Sequence, residues 1–330
     1  MRGTARRRHP QRSASPIGER NADIHVSYWA SSTQSFDDIR SAAQWAAEAG
    51  WRGAWLPDHF MMSADNDNGP GPTDAEMNPM LEGWVTLGAL AASVPDLRLG
   101  LMVGGNTYRH PGVVANMALT LDHISGGRAV LGLGAGWQTN DHQRLGIELP
   151  SVKDRSDMLE EAAALCRAVF AAGGQRVDFA GEHYTLTQMP VHPAPVNGTI
   201  PIMIGGAGHR RTLRTVARSA DEWNAWGRPD TIAGHLEVLR GHCEAEGRSF
   251  DDLHLTAVGL LILVDDTETS ATLRESLAHR SGLIGTVDEL KAVIEEYRAV
   301  GVDELIVPDF AIVGPGKLDV LQRFQDEVLA

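Results

Sequence analysis

The sequence predicts an α/β fold, a single (β/α)8 TIM barrel with insertion loops, and three observations predict it. Short apolar runs alternate with helical patterns along nearly the whole chain. Several of those runs, such as GAWL at 53–56 and LRLGLMV at 97–103, are apolar almost throughout, as strands of a parallel sheet covered on both faces must be. Each run then ends in polar or glycine residues, and in a barrel the carboxyl ends of all strands open on one face. Asp58, His59, Asn106, Arg109 and His110 thereby become neighbours without being adjacent in sequence.

The elements follow in order. IHVSYW at 24–29 is a strand, and residues 36–49 carry apolar side chains at helical spacing before a stop at Gly50. GAWLPD at 53–58 is the second strand. After it comes a loop rich in Asp, Asn, Gly and Pro, then a helix over about 81–93. A loop of that length suits a lid or binding segment, so 60–80 is taken as the first insertion. LRLGLMV at 97–103 and RAVLGLGAG at 128–136 are strands three and four, separated by a helix over 111–123.

A long helix over 155–171 precedes VDFAGEHYTL at 177–186, which alternates in polarity about a glycine and reads as a β-hairpin. It marks a second insertion near 175–200. PIMIGG, ADEWNAWG, LHLTAVGLLILV and ELIVPD supply the remaining strands, with helices over 209–219, 231–246, 271–279 and 287–300 and a last one after 310. Residues 23–330 thus form one domain, for which 330 residues at 43% hydrophobic and 22% charged are ample. Residues 1–22 read as a disordered basic tail or an over-extended start. Six Arg stand against the single acidic Glu19 within the first 20 residues, and no apolar run makes a secretory signal.

Composition excludes several functions. A formal net charge of -14 argues against a nucleic-acid partner. No run of about 18 apolar residues is present to span a membrane. Cys166 and Cys243 lie far apart in helical patterns, which suits reduced packing residues of a cytoplasmic protein. A nucleophile elbow of the GxSxG type is absent, as is a complete GxGxxG dinucleotide fingerprint. His59, His110 and His142 have no metal-ligand spacing, and no metal is expected.

The chemistry-bearing motifs sit at strand ends. GLGAG at 132–136 and GGAGHRR at 205–211 expose backbone N–H groups without side chains, and the second leads into a helix N-terminus that suits a phosphate. Small residues there also serve tight strand–helix packing. Asp58 and His59 follow the second strand, where an imidazole can move a proton on a bound molecule. Trp29, Trp55, Trp84, Trp137, Trp223 and Trp226 lie at or near strand ends, where they can pack the core or wall a planar ligand.

The segments PDHF, GNTYRHP, TLDHISGGRAVLGLGAGW and IGGAGHRRTLRTVARSADEWN, in this order and spacing, resemble the bacterial luciferase-like superfamily of flavin and deazaflavin enzymes over most of residues 24–310. Through MLEGWVTLGALAA and TYRHPGVVANMALTLDHISGGR the chain is most similar to the coenzyme F420-dependent oxidoreductases. The resemblance implies a luciferase-like barrel with F420, or alternatively FMN, in its mouth, and a non-prolyl cis peptide near Met102–Val103. It implies His59 as acid or base beside the ring. Asp58, Met102, Val103, Gly104, Gly105 and Asn106 would line the cofactor, Gly134, Ala135 and Gly136 its ribityl-phosphate arm, and Gly205, Gly206, Ala207 and Gly208 the phosphate. Trp29 and Trp137 are assigned to the substrate. Relatives that oxidise sugar phosphates carry a Glu where this chain has Trp137, which argues against that substrate class.

The expected function is hydride transfer between F420 and a small organic substrate, in an enzyme that forms a homodimer, the commonest oligomer. The alternatives are an FMNH2-dependent monooxygenase on the same scaffold and a non-catalytic flavin-binding barrel.

Overall fold

The computed structural model describes residues 24–63, 74–278, 282–312 and 314–330. The basic tail and the centre of the 60–80 insertion lie outside them.

Strand and helix alternate as the apolar periodicity requires. β1 (His25–Trp29) leads to α1 (Phe36–Glu48), and β2 (Gly53–Leu56) to α2 (Gly83–Ser93). β3 (Arg98–Leu101) and β4 (Gly104–Gly105) are followed by α3 (Pro111–Ser125), and β5 (Leu131–Gly134) by α4 (Thr139–Leu145) and α5 (Val152–Ala171). The hairpin β6 (Arg176–Ala180) and β7 (Thr185–Pro190) precedes β8 (Ile202–Gly205), α6 (Thr212–Ser219), β9 (Glu222–Trp226) and α7 (Pro229–Ala245). β10 (His254–Val258), β11 (Leu260–Leu263), α8 (Thr267–Ser276), β12 (Gly282–Gly285), α9 (Val287–Ala299), β13 (Glu304–Pro308) and α10 (Lys317–Phe324) complete the chain.

Nine strands form one parallel sheet in the order β3-β2-β1-β13-β10-β9-β8-β5-β4. β3 and β4 are two halves of one stave, interrupted by the cis Met102–Val103 peptide. The seam closes where Leu99 bridges Ala129 in parallel and Val130 N donates to Leu99 O at 2.9 Å. The result is an eight-stave barrel whose strand C-termini share one mouth.

Inside it, Trp29, Trp55, Met102, Val130, Met203, Val258 and Ile306 pack together with Val103. The opposite end is plugged by a buried ionic cluster. Glu304 accepts from Ser27 Oγ at 2.5 Å, His254 Nε2 at 2.8 Å and Arg98 Nη1 at 3.5 Å, and Arg98 also reaches Glu222.

Three features depart from the sequence reading. The apolar run 253–264 is not one strand: it breaks at Gly259, and β11 leaves the barrel to pair in parallel with β12. A Cβ at Gly259 would stand 2.8 Å from Leu283 Cγ, so glycine is what lets β12 pack against the exit. The 265–285 region resolves into α8 and β12, and α4, unanticipated, follows β5 directly.

Candidate active site

The site grows from the ends of adjacent staves. β4, β5 and β8 are neighbours in the sheet, and the chain at their ends reads Gly104-Gly105, Gly134-Ala135-Gly136 and Gly205-Gly206-Ala207-Gly208. Three consecutive staves therefore contribute backbone and at most a methyl group of their own, while the Tyr108 ring lies against the place where a Cβ at Gly105 would stand and Thr107 Oγ1 lies 2.5 Å from one at Gly136. Beneath this shelf sits Val103, and a Cβ at Gly134 or Gly205 would lie 2.7 or 2.8 Å from its Cγ2. The inner glycines thus make room for Val103. Gly206 and Gly208 are exposed, and Gly206 has φ +117°, a conformation that side chains disfavour. Of the cations next to this loop, Arg211 is paired with Asp157 of α5, while Arg210 is exposed.

Beside the shelf stands an acid–base constellation that begins with His59. Its Nδ1 lies 2.8 Å from Oδ2 of Asp141, a fully buried residue of α4. The same Asp141 oxygen accepts from Tyr108 Oη at 2.9 Å, and Oδ1 accepts from Phe60 N at 3.2 Å. The carboxylate assigns the proton to His59 Nδ1, so Nε2 is left as the ring atom that can take or give one. Nε2 has no protein partner among the described residues. The Trp137 ring, 48% exposed, stands edge-on to His59 at 5.2 Å. Tyr108 is raised above its usual range by burial and by the Asp141 charge, so it stays a donor.

Asp58 plays a different part. It accepts from Gly105 N at 2.9 Å and from Arg109 Nη1 at 2.8 Å, and Arg109 goes on to Glu82 at 2.8 Å. Burial pushes the Asp58 carboxyl up, against the pull of Arg109 and the Gly105 N–H. Its contacts tie β2 to the turn after β4. Asn106 is buried, donates to Tyr184 Oη at 3.1 Å, and anchors its own N–H on Gly134 O at 3.0 Å.

The three histidines considered for a metal do not meet. His110 caps α3 by accepting from Gly112 N at 3.1 Å, and His142 lies between Thr107 Oγ1 and Gln138 O, each at 2.7 Å. Among the described residues no group of three or more His, Cys, Asp or Glu side chains could hold a metal ion. Of the six tryptophans placed near strand ends by the sequence, Trp55, Trp84 and Trp223 belong to the core, whereas Trp29, Trp137 and Trp226 face the mouth. Asp141 was not singled out from the sequence. Its only signal is an acidic residue in a short helix just after a glycine-rich strand end.

This is the geometry of a barrel enzyme, and the relatives agree. A model of the luciferase-like monooxygenase family matches residues 21–280. The chain belongs to that family, and it is an oxidoreductase. An F420-dependent glucose-6-phosphate dehydrogenase from Nakamurella multipartita is 32% identical over 235 residues, covering 70% of this chain and 65% of that protein. The chain thus spans less than two thirds of that relative's length. Among solved structures, the coenzyme F420-dependent tetrahydromethanopterin reductase from Methanopyrus kandleri superposes with a TM-score of 0.74 at 18% identity, over 93% of this chain and 99% of that one. Monooxygenase RslO1 from Streptomyces bottropensis gives 0.74 at 17% identity over the same shares. No helix among the described residues is long and apolar enough to cross a membrane.

Proposed function

We propose that this protein is an F420-dependent oxidoreductase that moves a hydride between the deazaflavin and a small organic substrate. The observation that carries the reading is the glycine shelf on β4, β5 and β8, joined to the His59–Asp141 pair through Tyr108, whose ring stands at Gly105 and whose Oη donates to Asp141. A flat tricyclic ring needs a surface without protruding side chains, and a phosphate needs the open backbone of Gly206–Gly208. When bound, F420 supplies the two-electron hydride chemistry.

The residues of the chain do the rest. Val103 and the glycines beneath the shelf support the ring. Asp141 holds His59 in one tautomer, and His59 Nε2 exchanges the proton that accompanies hydride transfer at the substrate oxygen. Asp58, through Gly105 N and Arg109, fixes the turn on which Asn106 sits. The F420-dependent relatives support this cofactor, and Trp137 argues against a sugar phosphate as substrate.

A homodimer is part of the reading. α2 and α3 turn outward Val85, Gly88, Val113, Met117, Thr120 and Ile124, with no charged side chain among them. For a chain of net charge -14, a charge-free face is where two copies can meet without repulsion. A cytoplasmic location suits the two buried cysteines, which form no disulfide and of which Cys166 has its thiol pushed up to about 12 by burial.

The test is equilibrium titration of the purified protein with F420 and with FMN, oxidised and reduced, followed by absorbance and fluorescence. Preferential binding of F420 supports the reading. Preference for reduced FMN would replace it with a monooxygenase, and binding of neither with a non-catalytic barrel.

A further inference from the structure

The half of the mouth opposite the glycine shelf is built from different material. β1, β13, β10 and β9 are consecutive staves. Trp29 is the last residue of β1, Trp226 the last of β9, and Phe310 stands two residues past the end of β13. The Trp29 ring lies 5.0 Å from Phe310 at 64° and 5.7 Å from Trp226 at 49°, so Trp29 joins staves that are not neighbours. Met203, Val258 and Ile306 pack with Trp29 inside the barrel. Trp226 and Phe310 keep 42% and 39% of their surface exposed, a contiguous aromatic face in a concave mouth.

Trp29 adds a polar handle. The residue is 93% buried by its 7% exposure, yet its Nε1–H has no acceptor among the described residues. Three other indole N–H groups are satisfied: Trp45 by Gln322 at 2.8 Å, Trp51 by Gln325 at 2.8 Å, and Trp223 by Gly206 O at 2.9 Å. Trp55 also lacks an acceptor, but it is fully buried. A buried donor without a partner, carried by the ring that packs on both exposed aromatics, is suited to a ligand acceptor.

Charge near the wall is already committed. Asp309, next to Phe310, accepts from Tyr28 Oη at 2.5 Å, Ser31 N at 2.7 Å and Gln34 Nε2 at 2.8 Å, with Lys317 Nζ at 3.2 Å. Lys317 is thereby spent on Asp309 and on Gln34 Oε1 at 2.6 Å. Arg228, two residues past Trp226, lines a separate groove of about 510 Å³ with Asp230, Arg274 and Glu289, to which none of the three rings contributes.

We infer that the substrate is an uncharged, ring-bearing ketone or alcohol, seated against Trp29, Trp226 and Phe310 with its oxygen accepting from Trp29 Nε1. This names the substrate class for the oxidoreductase reading above and rests on it. A carbonyl and a hydroxyl oxygen both accept a hydrogen bond, so the donor serves the substrate in either oxidation state. A phosphate or carboxylate finds no free cation on this wall among the described residues.

The test uses acetophenone and glucose 6-phosphate as probes, titrated by calorimetry into the cofactor-free protein and the F420-saturated protein, with Trp29→Phe and Trp226→Ala variants. Trp29→Phe keeps a ring and removes the donor, and Trp226 is exposed enough for its loss to leave the fold intact. Expected is saturable acetophenone binding in both forms, weakened about three- to tenfold by Trp29→Phe, as one hydrogen bond is worth. Trp226→Ala should weaken it by about as much or more, and glucose 6-phosphate should not bind. Three results would overturn the proposal: acetophenone affinity unchanged in both variants, competition between acetophenone and F420 for one place, or binding of glucose 6-phosphate alone. Should acetophenone bind as described while neither F420 nor FMN does, the cofactor reading fails and the pocket stands. If F420 binds and acetophenone does not, the pocket fails and the cofactor reading stands.

Discussion

Replacing Asp141 by Asn tests whether the acid–base pair works as one unit. The native carboxylate accepts three hydrogen bonds, from His59 Nδ1 and Tyr108 Oη on one oxygen and from Phe60 N on the other. An amide cannot satisfy all three. With its oxygen toward His59 and Tyr108, its NH2 meets the Phe60 N–H, donor against donor. Turned the other way, it points the NH2 at His59 Nδ1, which must then give up its proton to Nε2, and Tyr108 loses its acceptor. Each orientation leaves a buried donor unmet, a loss of about 1–3 kcal/mol of stability. The second also puts the imidazole in the wrong tautomer. Nitrogen-15 NMR of His59 in the cofactor-free protein reads the tautomer directly, and thermal unfolding reads the stability. With a substrate in hand, turnover should fall about 10²- to 10⁴-fold for His59→Ala. The double variant should be no slower than His59→Ala alone, because Asp141 acts only through His59. Wild-type turnover in Asp141→Asn, or losses that multiply in the double variant, would refute the reasoning.

Three further outcomes are expected. Gly206→Ala and Gly206→Asp share the strain of φ +117°, so any extra loss of F420 affinity in the Asp variant, measured by fluorescence titration, reads the anion expected at that loop. Equal affinities would remove the phosphate from Gly206. Burial pushes the Glu304 carboxyl up, but His254, Arg98 and Ser27 together hold it at about 2, against 4.5 for an ordinary Glu. A depressed carboxylate stabilises the fold above the unfolded value, so that contribution is lost as pH falls from 4.5 toward 2. Ser27→Ala should therefore shift the acid limb of urea stability to higher pH, and an unmoved limb would count against the network. Val85→Lys places like charges on the α2–α3 face of both copies, and sedimentation equilibrium should show the proposed homodimer shifted to monomer.

Much of the barrel was legible because its signals are local. Parallel strands buried on both faces need apolar runs, helices need a spacing of 3.6 residues, and glycine at strand ends marks where backbone must be approached closely. Those signals locate Asp58, His59, Asn106 and the three glycine-rich turns at the mouth. The signal failed where two structures demand the same residues. LHLTAVGLLILV is apolar throughout because both β10 and β11 are covered, and only the packing of Leu283 on Gly259 shows that the chain has left the barrel. Asp141 stayed hidden for another reason. Its partner is 82 positions away, and its place on a one-turn-longer-than-minimal helix carries no period of its own.

The tryptophans show the limit most directly. Trp29 and Trp55 are paired residues of neighbouring strands, and both side chains enter the barrel. By strand alternation they are equivalent. They part company in the direction each ring takes. The Trp55 ring runs back along the barrel, close enough that a Cβ at Gly100 would stand 2.9 Å from its Cζ3 and one at Gly53 3.4 Å from its Nε1, and Arg98 Cζ lies 5.9 Å from its centre. Trp29 instead turns to Trp226 and Phe310 at the strand ends. Gly100 makes the first direction possible, since a Cβ there would press on the Trp55 indole at 2.9 Å. With that space taken by the Trp55 indole, the Trp29 ring packs toward the strand ends, and neither indole N–H has an acceptor among the described residues. The same pair of residues thus yields a core filler and one ring of an aromatic face at the mouth, and what separates them is the room left by Gly100 on the neighbouring strand.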